Sequence, residues 1–200
     1  MKRKSLLFDI DISTGVEPGV GTLLVAEPFL KESYFNHAVV VLVDYEPPVS
    51  AMGVVINNPT EYKLQEVVDG VKVKEPIPVY CGGPVGSDRL YFMHTLGDLI
   101  PETRRVGDNL WLGGDFDTLF GIINDGYDVE GHIRFFMGYS GWSPGQLEEE
   151  VSKRVWAVSP MVSGRELLRG DGDSVWHDCV RRLGPGFRGW LYHPRNLMAN

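Results

Sequence analysis

The segment from Phe135 to Glu150, FFMGYSGWSPGQLEEE, holds the residues whose types and spacing come nearest to a catalytic motif. Ser140 lies between Gly138 and Gly141, as a nucleophilic serine does in a strained strand-to-helix turn. That turn requires Gly-x-Ser-x-Gly, because small flanking residues leave the backbone the room it needs. Here the closing position is Trp142, whose indole would fill that room, and the histidines offer no pattern for a triad. We therefore interpret the serine as part of a strand that leads into a helix.

Helix capping explains the residues that follow. Ser143 is the predicted N-cap, and Pro144 takes the first helical position, where its missing N–H costs nothing. Gln146 completes a capping box with the serine. Trp142 and Leu147 have the spacing of a hydrophobic staple. The segment after Ser140 therefore needs no chemistry to account for it.

Glycine-rich turns are the remaining candidates for a ligand site. Glycine at such positions indicates close backbone approach or positive φ, which favours tight packing and leaves ligand binding as the alternative. With nearby polar and aromatic residues, the turns give a candidate ligand-binding set of Asn57, Gly82, Gly83, Pro84, Gly138, Tyr139, Ser140, Gly141 and Trp142. We assign no catalytic residue from the sequence.

The sequence contains no cofactor or metal motif. The turn CGGPV at residues 81–85 lacks the Lys and Ser/Thr of a phosphate-binding loop. Gly113 and Gly114 precede a predicted helix, but Asp115 and Asp117 already place carboxylates at its positive end, which disfavours an anion there. The histidines show no short paired spacing, so we expect neither a metal nor a cofactor.

The composition is that of an ordinary globular domain. The chain has 200 residues, of which 43% are hydrophobic and 23% charged, so we expect a single domain over residues 1–200. The net charge of −8 argues against unspecific nucleic-acid binding, because an acidic surface repels phosphates. Residues 160–200 are slightly basic, which favours a solvated helix face and leaves contact with an acidic partner open.

The N-terminal sequence predicts neither export nor membrane insertion. The apolar run after the basic start, residues 6–8, is too short for an export signal, and no run is long enough to span a membrane. Residues 1–15 are expected to form a loosely ordered arm. Cys81 and Cys179 are interpreted as buried, reduced thiols, although their spacing leaves a disulfide open. We therefore expect a cytoplasmic protein.

Strands and helices alternate along the sequence. The predicted strands are at residues 21–28, 37–45, 52–57, 77–83, 89–95, 132–140 and 156–159, and the helices are at 62–70, 115–126, 143–155 and 173–184. The run HAVVVLVDY, 37–45, is expected to be buried on both faces. Asp115 is the predicted cap of the second helix, and Asp173 or Ser174 that of the last. This interleaving predicts a mixed α/β or α+β domain.

The order of several short motifs resembles the YqgE/AlgH family of bacterial proteins. GTLLVAEPFL with YFNHAVVVLVDY resembles its LLIA-x-P segment and hydrophobic strand, and MGVVINNP resembles its G-x-x-x-N-x-P segment. CGGPV is similar to its GGPV turn, FFMGYSGWSPGQLEEE is similar to its LGYAGW-x-x-GQLE block, and WAVSP fits the position of its W-x-x-x-x-x-P segment. The resemblance implies one α/β domain with a bent, partly barrel-like β-sheet flanked by helices.

The resemblance implies no particular reaction, and some family members are labelled transcriptional regulators. We find no helix-turn-helix with basic residues on a recognition helix, so direct DNA binding is not expected. Many members carry a basic residue where Asn58 stands, and many carry a His near the position of Asp44 and Tyr45. A role that needs charge at those positions cannot be carried over directly to this chain.

Three hypotheses for the function follow, in this order of preference. The first is a non-enzymatic regulatory or adaptor protein that binds a protein partner or a small ligand at the glycine- and aromatic-rich turns. The second is an enzyme whose site contains Asn57, Tyr139, Ser140 or a histidine, which requires these side chains to converge. The third is transcriptional regulation, as the family label suggests. The sequence leaves the partner and the oligomeric state open.

Overall fold

Short strands and helices follow one another through residues 14–195, the part of the chain that this computed structural model describes. The strands are β1 Leu23–Ala26, β2 Val39–Glu46, β3 Ser50–Val55, β4 Pro59–Lys63, β5 Pro78–Cys81, β6 Val85–His94, β7 Arg104–Gly107, β8 Leu110–Leu112, β9 Ile133–Trp142 and β10 Trp156–Ser159. The helices are α1 Leu64–Val67, α2 Phe116–Asn124, α3 Gln146–Ser152, α4 Gly164–Leu167 and α5 Gly172–Arg182, followed by a 3-10 helix at Pro185–Tyr192.

The strands form one open sheet in the order β10-β1-β2-β3-β9-β6-β8-β7, with β5 pairing β9 and β4 pairing β5. All pairs are antiparallel except β5 with β9. The predicted α/β domain with a sheet flanked by helices is confirmed, and the sheet is not closed, since β10 and β7 lie at opposite ends of the strand order.

Strand β9 lies at the centre of this sheet because three strands share it. Its first half pairs with β5 through Val79↔Phe135 and with β6 through Phe92↔Phe135, so these two strands lie on its opposite edges. Its last residues pair with β3 through Gly53↔Ser140. Both β5 and β3 therefore occupy the same edge of β9, one after the other.

Where the pairing of β9 with β5 gives way to its pairing with β3, two backbone segments are in close contact. We name this contact the glycine crossing and define it as Gly82, Gly83 and Gly138. The Gly82 N–H donates to the Met137 carbonyl at 2.8 Å, and the Gly82 carbonyl accepts from the Val55 N–H at 2.9 Å. A Cβ on Gly82 would overlap the Gly138 carbonyl oxygen. One on Gly138, whose φ is +73°, would come to 2.6 Å from the Gly83 oxygen. Only glycine fits both sides of this contact.

Alternate side chains of the buried strands pack on opposite faces of the sheet. Residues Val39–Val43 of β2 are fully buried and Asp44 is exposed, which confirms burial on both faces for all but the end of the predicted run. Val39 and Val41 pack in the layer that contains α5, whereas Val40 and Leu42 pack in the layer that contains Leu147 of α3. A third apolar cluster joins α2 to β5, β6 and β9.

The predicted start of α3 is wrong by two residues, because the N-cap is Gly145 rather than Ser143. Gln146 donates its N–H to the Ser143 carbonyl at 3.0 Å, and Gly145 has a φ of +74°, so residues 143–146 form a Pro-Gly turn and the helix begins after it. Half of the predicted capping box is present, since the Ser143 N–H donates to Gln146 Oε1 at 3.0 Å. Trp142 and Leu147 pack in one cluster, as the predicted staple requires.

The other element boundaries are partly confirmed. Asp115 caps α2, because its carboxylate accepts from the Thr118 N–H at 2.8 Å. The predicted caps of α5 are wrong, since the N-cap is Asp171. The helix predicted to reach Gly70 is the single turn α1. Sequence patterns missed β4, β7 and β8 because these strands are short and β4 and β7 are mostly exposed. The predicted N-terminal arm, apart from its last two residues, lies outside the described residues.

Replacing Gly82 by Ala should destabilise the fold, because the new methyl meets backbone rather than a side chain that can move. We expect a loss of roughly 3 kcal/mol in the free energy of unfolding, measured by urea denaturation. The matched control is Gly121→Ala in α2, where a Cβ meets nothing within 4 Å. It should stabilise by about 0.5–1 kcal/mol, since alanine favours helix. Equal effects of the two substitutions would contradict the close contact.

Candidate functional site

Ser140 is a structural residue in β9. Its side chain is 1% exposed, and its Oγ donates to the Gly82 carbonyl at 3.2 Å. That bond is the only one that its hydroxyl makes to residues 14–195, so it has no base within reach there. The interpretation of the serine as part of a strand is therefore confirmed.

The other members of the predicted ligand-binding set near β9 serve mainly to pack the sheet. Tyr139 meets Tyr91 edge-on, with 6.0 Å between ring centroids. Trp142 is buried, and its indole N–H donates to Glu150 Oε2 at 2.8 Å. Pro84 and Gly141 are exposed on either side of the glycine crossing.

Asn57 is a buried connector rather than part of an open site. Its Oδ1 accepts from the Val39 N–H at 2.8 Å, and its Nδ2 donates to the His37 and Gly172 carbonyls at 2.9 and 2.8 Å. It therefore ties β2 to the start of α5. The structure brings the predicted set together around β9 and β3, with the polar atoms of Asn57 and Ser140 satisfied internally. Ligand binding by this set stays a prediction.

A cavity lies at the other end of β9, and none of the predicted residues lines it. Its volume is about 600 Å³. The apolar part of its wall is formed by Val73, Ile77, Pro78, Tyr80, Ile123 and Ile133. Arg134 also lines it, and we therefore name it the Arg134 cavity. Sequence reasoning missed this site, although one signal was present: an arginine stands between apolar residues in the strand predicted at residues 132–140.

Arg134 is buried, and three of its five N–H groups donate to backbone carbonyls. Its side chain is 5% exposed. The guanidinium donates to the carbonyls of Ile56, Leu168 and Gly170, each at 2.6 Å, and lies 4.2 Å from the centre of the Tyr80 ring. Burial lowers the pKa of Arg134 below its ordinary value, while the contacts with carbonyls and the aromatic face suit a cation. The arginine therefore joins β9 to the ends of β3 and α4.

The rim of the Arg134 cavity is acidic. Glu75, Asp128, Glu130 and Asp171 all line it and all are exposed. Two guanidiniums also line the cavity, those of the buried Arg134 and the exposed Arg169. The side chains of the wall include no Ser, Thr, Cys, His or Lys.

A second cluster surrounds His37, a fully buried residue with a φ of +53°. Its ring stacks on Trp176 at 3.9 Å, and its Nδ1 lies 3.3 Å from Asp173 Oδ1. Its Nε2 is buried and has no hydrogen-bond partner among residues 14–195. Arg195 approaches the same carboxylate at 3.8 Å. Burial lowers the pKa of His37, although Asp173 opposes this, so the imidazole is held neutral.

His94 is a second buried histidine with a fixed tautomer. Its Nδ1 accepts from the Leu96 N–H at 3.1 Å, so the ring proton is on Nε2, which donates to the Gly113 carbonyl at 3.0 Å. Burial lowers the pKa of His94, because desolvation disfavours the charged ring, while the hydrogen bond to the Gly113 carbonyl opposes this.

Cysteine and metal chemistry have little support in the described residues. Both cysteines are free, as predicted; Cys179 is buried but Cys81 only half-buried, so the prediction of burial was wrong for Cys81. Burial raises the pKa of Cys179 to about 12. Residues 14–195 hold no group of three His, Cys, Asp or Glu side chains that could bind a metal ion. No helix in this part of the chain is long and apolar enough to cross a bilayer.

Comparison with known proteins identifies the family. A family model described as AlgH-like matches residues 23–188. The chain belongs to the AlgH-like family. A UPF0301 protein from Parabacteroides distasonis is 38% identical over 186 residues, covering 92% of this chain and 93% of the relative. Another UPF0301 protein, from Bacteroides thetaiotaomicron, is 37% identical over 195 residues, with coverage of 98% and 97%.

Solved structures agree with this assignment. The solution structure of the AlgH protein from Pseudomonas aeruginosa is similar, with a TM-score of 0.65, 28% identity and coverage of 92% of this chain and 94% of that one. A crystal structure of a protein from Corynebacterium diphtheriae shares the fold at 22% identity, with a TM-score of 0.66 and coverage of 90% and 93%. The resemblance stated from the sequence motifs is therefore confirmed.

At Asn58 the chain departs from the AlgH-like pattern, and another residue brings a basic group to this position. Many family members were expected to carry a basic residue at the position of Asn58. Here the Asn58 Oδ1 accepts a hydrogen bond from Arg195 at 2.9 Å. A guanidinium from the C-terminal part of the chain thus reaches this position, beside Asp173.

Removing the charge of Arg134 should destabilise the fold, because this guanidinium connects β9 to the ends of β3 and α4. Arg134→Met leaves buried carbonyls unpaired, and each costs about 1–3 kcal/mol, so we expect a loss of roughly 3 kcal/mol or more in urea denaturation. Arg169→Met is the matched control, because Arg169 lines the same cavity but is exposed. It should change stability by no more than about 0.5 kcal/mol. Similar losses for the two variants would show that Arg134 does not hold these carbonyls.

Acid should destabilise the protein through its two buried histidines. Their folded pKa values lie below the ordinary value of about 6.5, so below that pH the unfolded chain binds more protons. The stability they contribute is fully present above pH ~6.5 and falls as pH drops towards their folded pKa values. Urea denaturation at pH 7.5 and 5.5, for the parent and for His94→Gln, measures this. The variant should be less stable at pH 7.5 but lose less on acidification; an identical loss would contradict the assignment.

Proposed function

We infer that this protein is a cytoplasmic, non-enzymatic regulator or adaptor that works by binding a ligand in the Arg134 cavity. The observation that carries this proposal is the cavity itself. Small-molecule sites typically enclose about 300–1,000 Å³, with an apolar wall and a few placed polar groups. A volume of about 600 Å³, an apolar wall and an acidic rim match that description.

The chemistry of the wall supports binding over turnover. Covalent catalysis needs a nucleophile beside a base. The cavity offers tyrosine hydroxyls, carboxylates and arginines, without the Ser, Thr, Cys, His or Lys that most often fill those roles. Its most buried charge, Arg134, already uses three of its five N–H groups on backbone carbonyls.

The position of the cavity supports a regulatory role. Leu168 and Asp171 line it, and Arg134 holds the carbonyls of Leu168 and Gly170. The next residues begin α5, where Gly172 accepts from Asn57 and Asp173 meets His37. A ligand that contacts the segment 168–171 would therefore act on a junction that also fixes the start of α5.

One observation favours the enzyme hypothesis as a second candidate. His37 faces Asp173 through Nδ1 and keeps an unpaired Nε2, which is the arrangement of an oriented general base. The ring, however, is fully buried against Trp176, and no cavity described above opens onto it. Direct DNA binding is less favoured, because Arg181 and Arg182 of α5 are paired with Asp178 and Glu166.

Native mass spectrometry of the protein, gently purified from its own host, tests the proposed function. We expect an added mass in the parent and in Val49→Trp, an exposed position outside the cavity, and none in Val73→Trp, whose indole would fill it. An added mass that persists in Val73→Trp would place the ligand elsewhere. A bare mass in all three proteins would contradict a resident small ligand and direct the search to protein partners.

A further inference from the structure

We propose that the ligand of the Arg134 cavity is a small amphipathic cation, an amine or guanidine joined to an alkyl or aryl body. This inference rests on the proposed function and specifies the chemical class of its ligand. It follows from three features of the cavity: the apolar surface of its wall, the charges at its rim, and the lack of free backbone groups along strand β5.

The wall fixes the apolar part of the ligand. Val73 and Pro78 present apolar surface to the cavity that is still partly exposed to solvent, beside the buried Ile77. An alkyl chain or a phenyl ring placed against them would be removed from water, which stabilises binding in proportion to the apolar area buried. A highly charged or sugar-like ligand would lose its hydration here without finding hydrogen-bond partners.

The charged side chains of the cavity determine whether the polar group of the ligand is a cation or an anion. Arg134 would be the natural partner of an anionic ligand, but three of its five N–H groups donate to backbone carbonyls and the guanidinium lies over the Tyr80 ring. The four rim carboxylates form no ion pair within 4 Å among the described residues, although Asp171 also interacts electrostatically with Arg134. A carboxylate ligand would meet repulsion, whereas an ammonium or guanidinium would be attracted.

One stretch of the rim places the charge and an aromatic face together. Asp128 and Glu130 lie in the loop before β9, and Tyr127, next to them, is 37% exposed. Carboxylates and a tyrosine face both attract a cation, the second through the ring quadrupole. The Asp128 Oδ1 accepts from the Glu130 N–H at 3.0 Å, so the loop keeps its carboxylates in a defined arrangement.

The backbone of the wall argues for a small molecule over an extended peptide. Recognition of a peptide strand uses free N–H and C=O groups at a sheet edge. Strand β5 is paired on both edges, with β4 and with β9. Pro76 and Pro78 of the wall have no N–H to donate. Apolar contact and charge are thus the means that this cavity offers, and a small amphiphile can use both.

Three probes of matched shape test the proposal: 4-phenylbutylamine, 4-phenylbutanol and 4-phenylbutyrate. Binding to the full chain is measured by isothermal titration calorimetry at low ionic strength, with chemical-shift mapping to locate each probe. We expect the amine to bind at least about tenfold more tightly than the alcohol, and the carboxylate to bind most weakly, because opposite charges attract and like charges repel. Added salt should reduce the preference for the amine.

Three sets of variants assign the effect to the cavity. Asp128→Asn with Glu130→Gln should remove most of the preference for the amine and leave the alcohol unchanged. The amide that replaces the Asp128 carboxylate retains an oxygen, so it can still accept the loop hydrogen bond. The control, Glu61→Gln with Asp88→Asn, removes the same charge away from the cavity and should leave the preference intact. Val73→Trp should weaken all probes.

The outcomes separate the proposed function from the ligand class. If the alcohol and the amine bind equally well, and Val73→Trp abolishes both, the cavity is a ligand site but the cationic class is overturned. Tighter binding of the carboxylate would overturn it as well. If the amine binds but Val73→Trp has no effect, or the control pair weakens it equally, the amine only associates with the acidic surface. If no probe binds, the cavity fails as the site, and the proposed function fails with it.

Discussion

The close contact between Gly82 and Gly138 is the constraint on which the rest of the sheet depends. At this point β9 ends its pairing with β5 and begins its pairing with β3, while β6 follows its other edge. Two backbones can come this close only if neither residue carries a Cβ that points into the contact. Because the strands that flank β9 all meet here, a bulkier residue would displace strands of both halves of the sheet rather than a single loop.

The same strand carries the most demanding electrostatic feature of the molecule. Burial of the Arg134 charge is unfavourable unless its donors are paired, and three backbone carbonyls with the Tyr80 ring supply that pairing. These carbonyls come from the ends of β3 and α4 and from the loop after α4. The charge therefore draws three separate chain segments to one point, and the cavity lies where they meet the loop before β9.

This arrangement also explains why the candidate ligand is not an anion. A buried arginine at the base of a cavity would ordinarily suggest a carboxylate or phosphate ligand, but here the guanidinium serves the fold. The carboxylates at the rim then dominate the field that a ligand meets, in keeping with the net charge of −8 for the whole chain. The His37 cluster differs in kind, since its groups are enclosed and act on the stability of the junction between β2 and α5.

Much of the local structure was determined by the sequence alone. The β-branched run of β2, the Asp115 cap of α2, the staple between Trp142 and Leu147 and the motif order that indicates the AlgH-like family were all predicted correctly, because each depends on neighbours in the chain. Gly138 of the LGYAGW-like block was correctly interpreted as a site of close backbone approach, whereas a Cβ on Gly141 would make only an ordinary contact with the Tyr139 ring. The start of α3 was not, because a Pro-Gly pair fits both a helix start and a turn.

Only the tertiary structure decided which residues form the candidate site. The partners of Arg134, the pairing of His37 with Asp173 and the acidic rim are contributed by segments far apart in sequence, and no periodicity or spacing specifies them. Whether a buried charge serves a ligand or the fold depends on where distant carbonyls lie. The sequence therefore determined most of the strands, most of the helices and the family, whereas the packing of those elements determined the cavity and the charges around it.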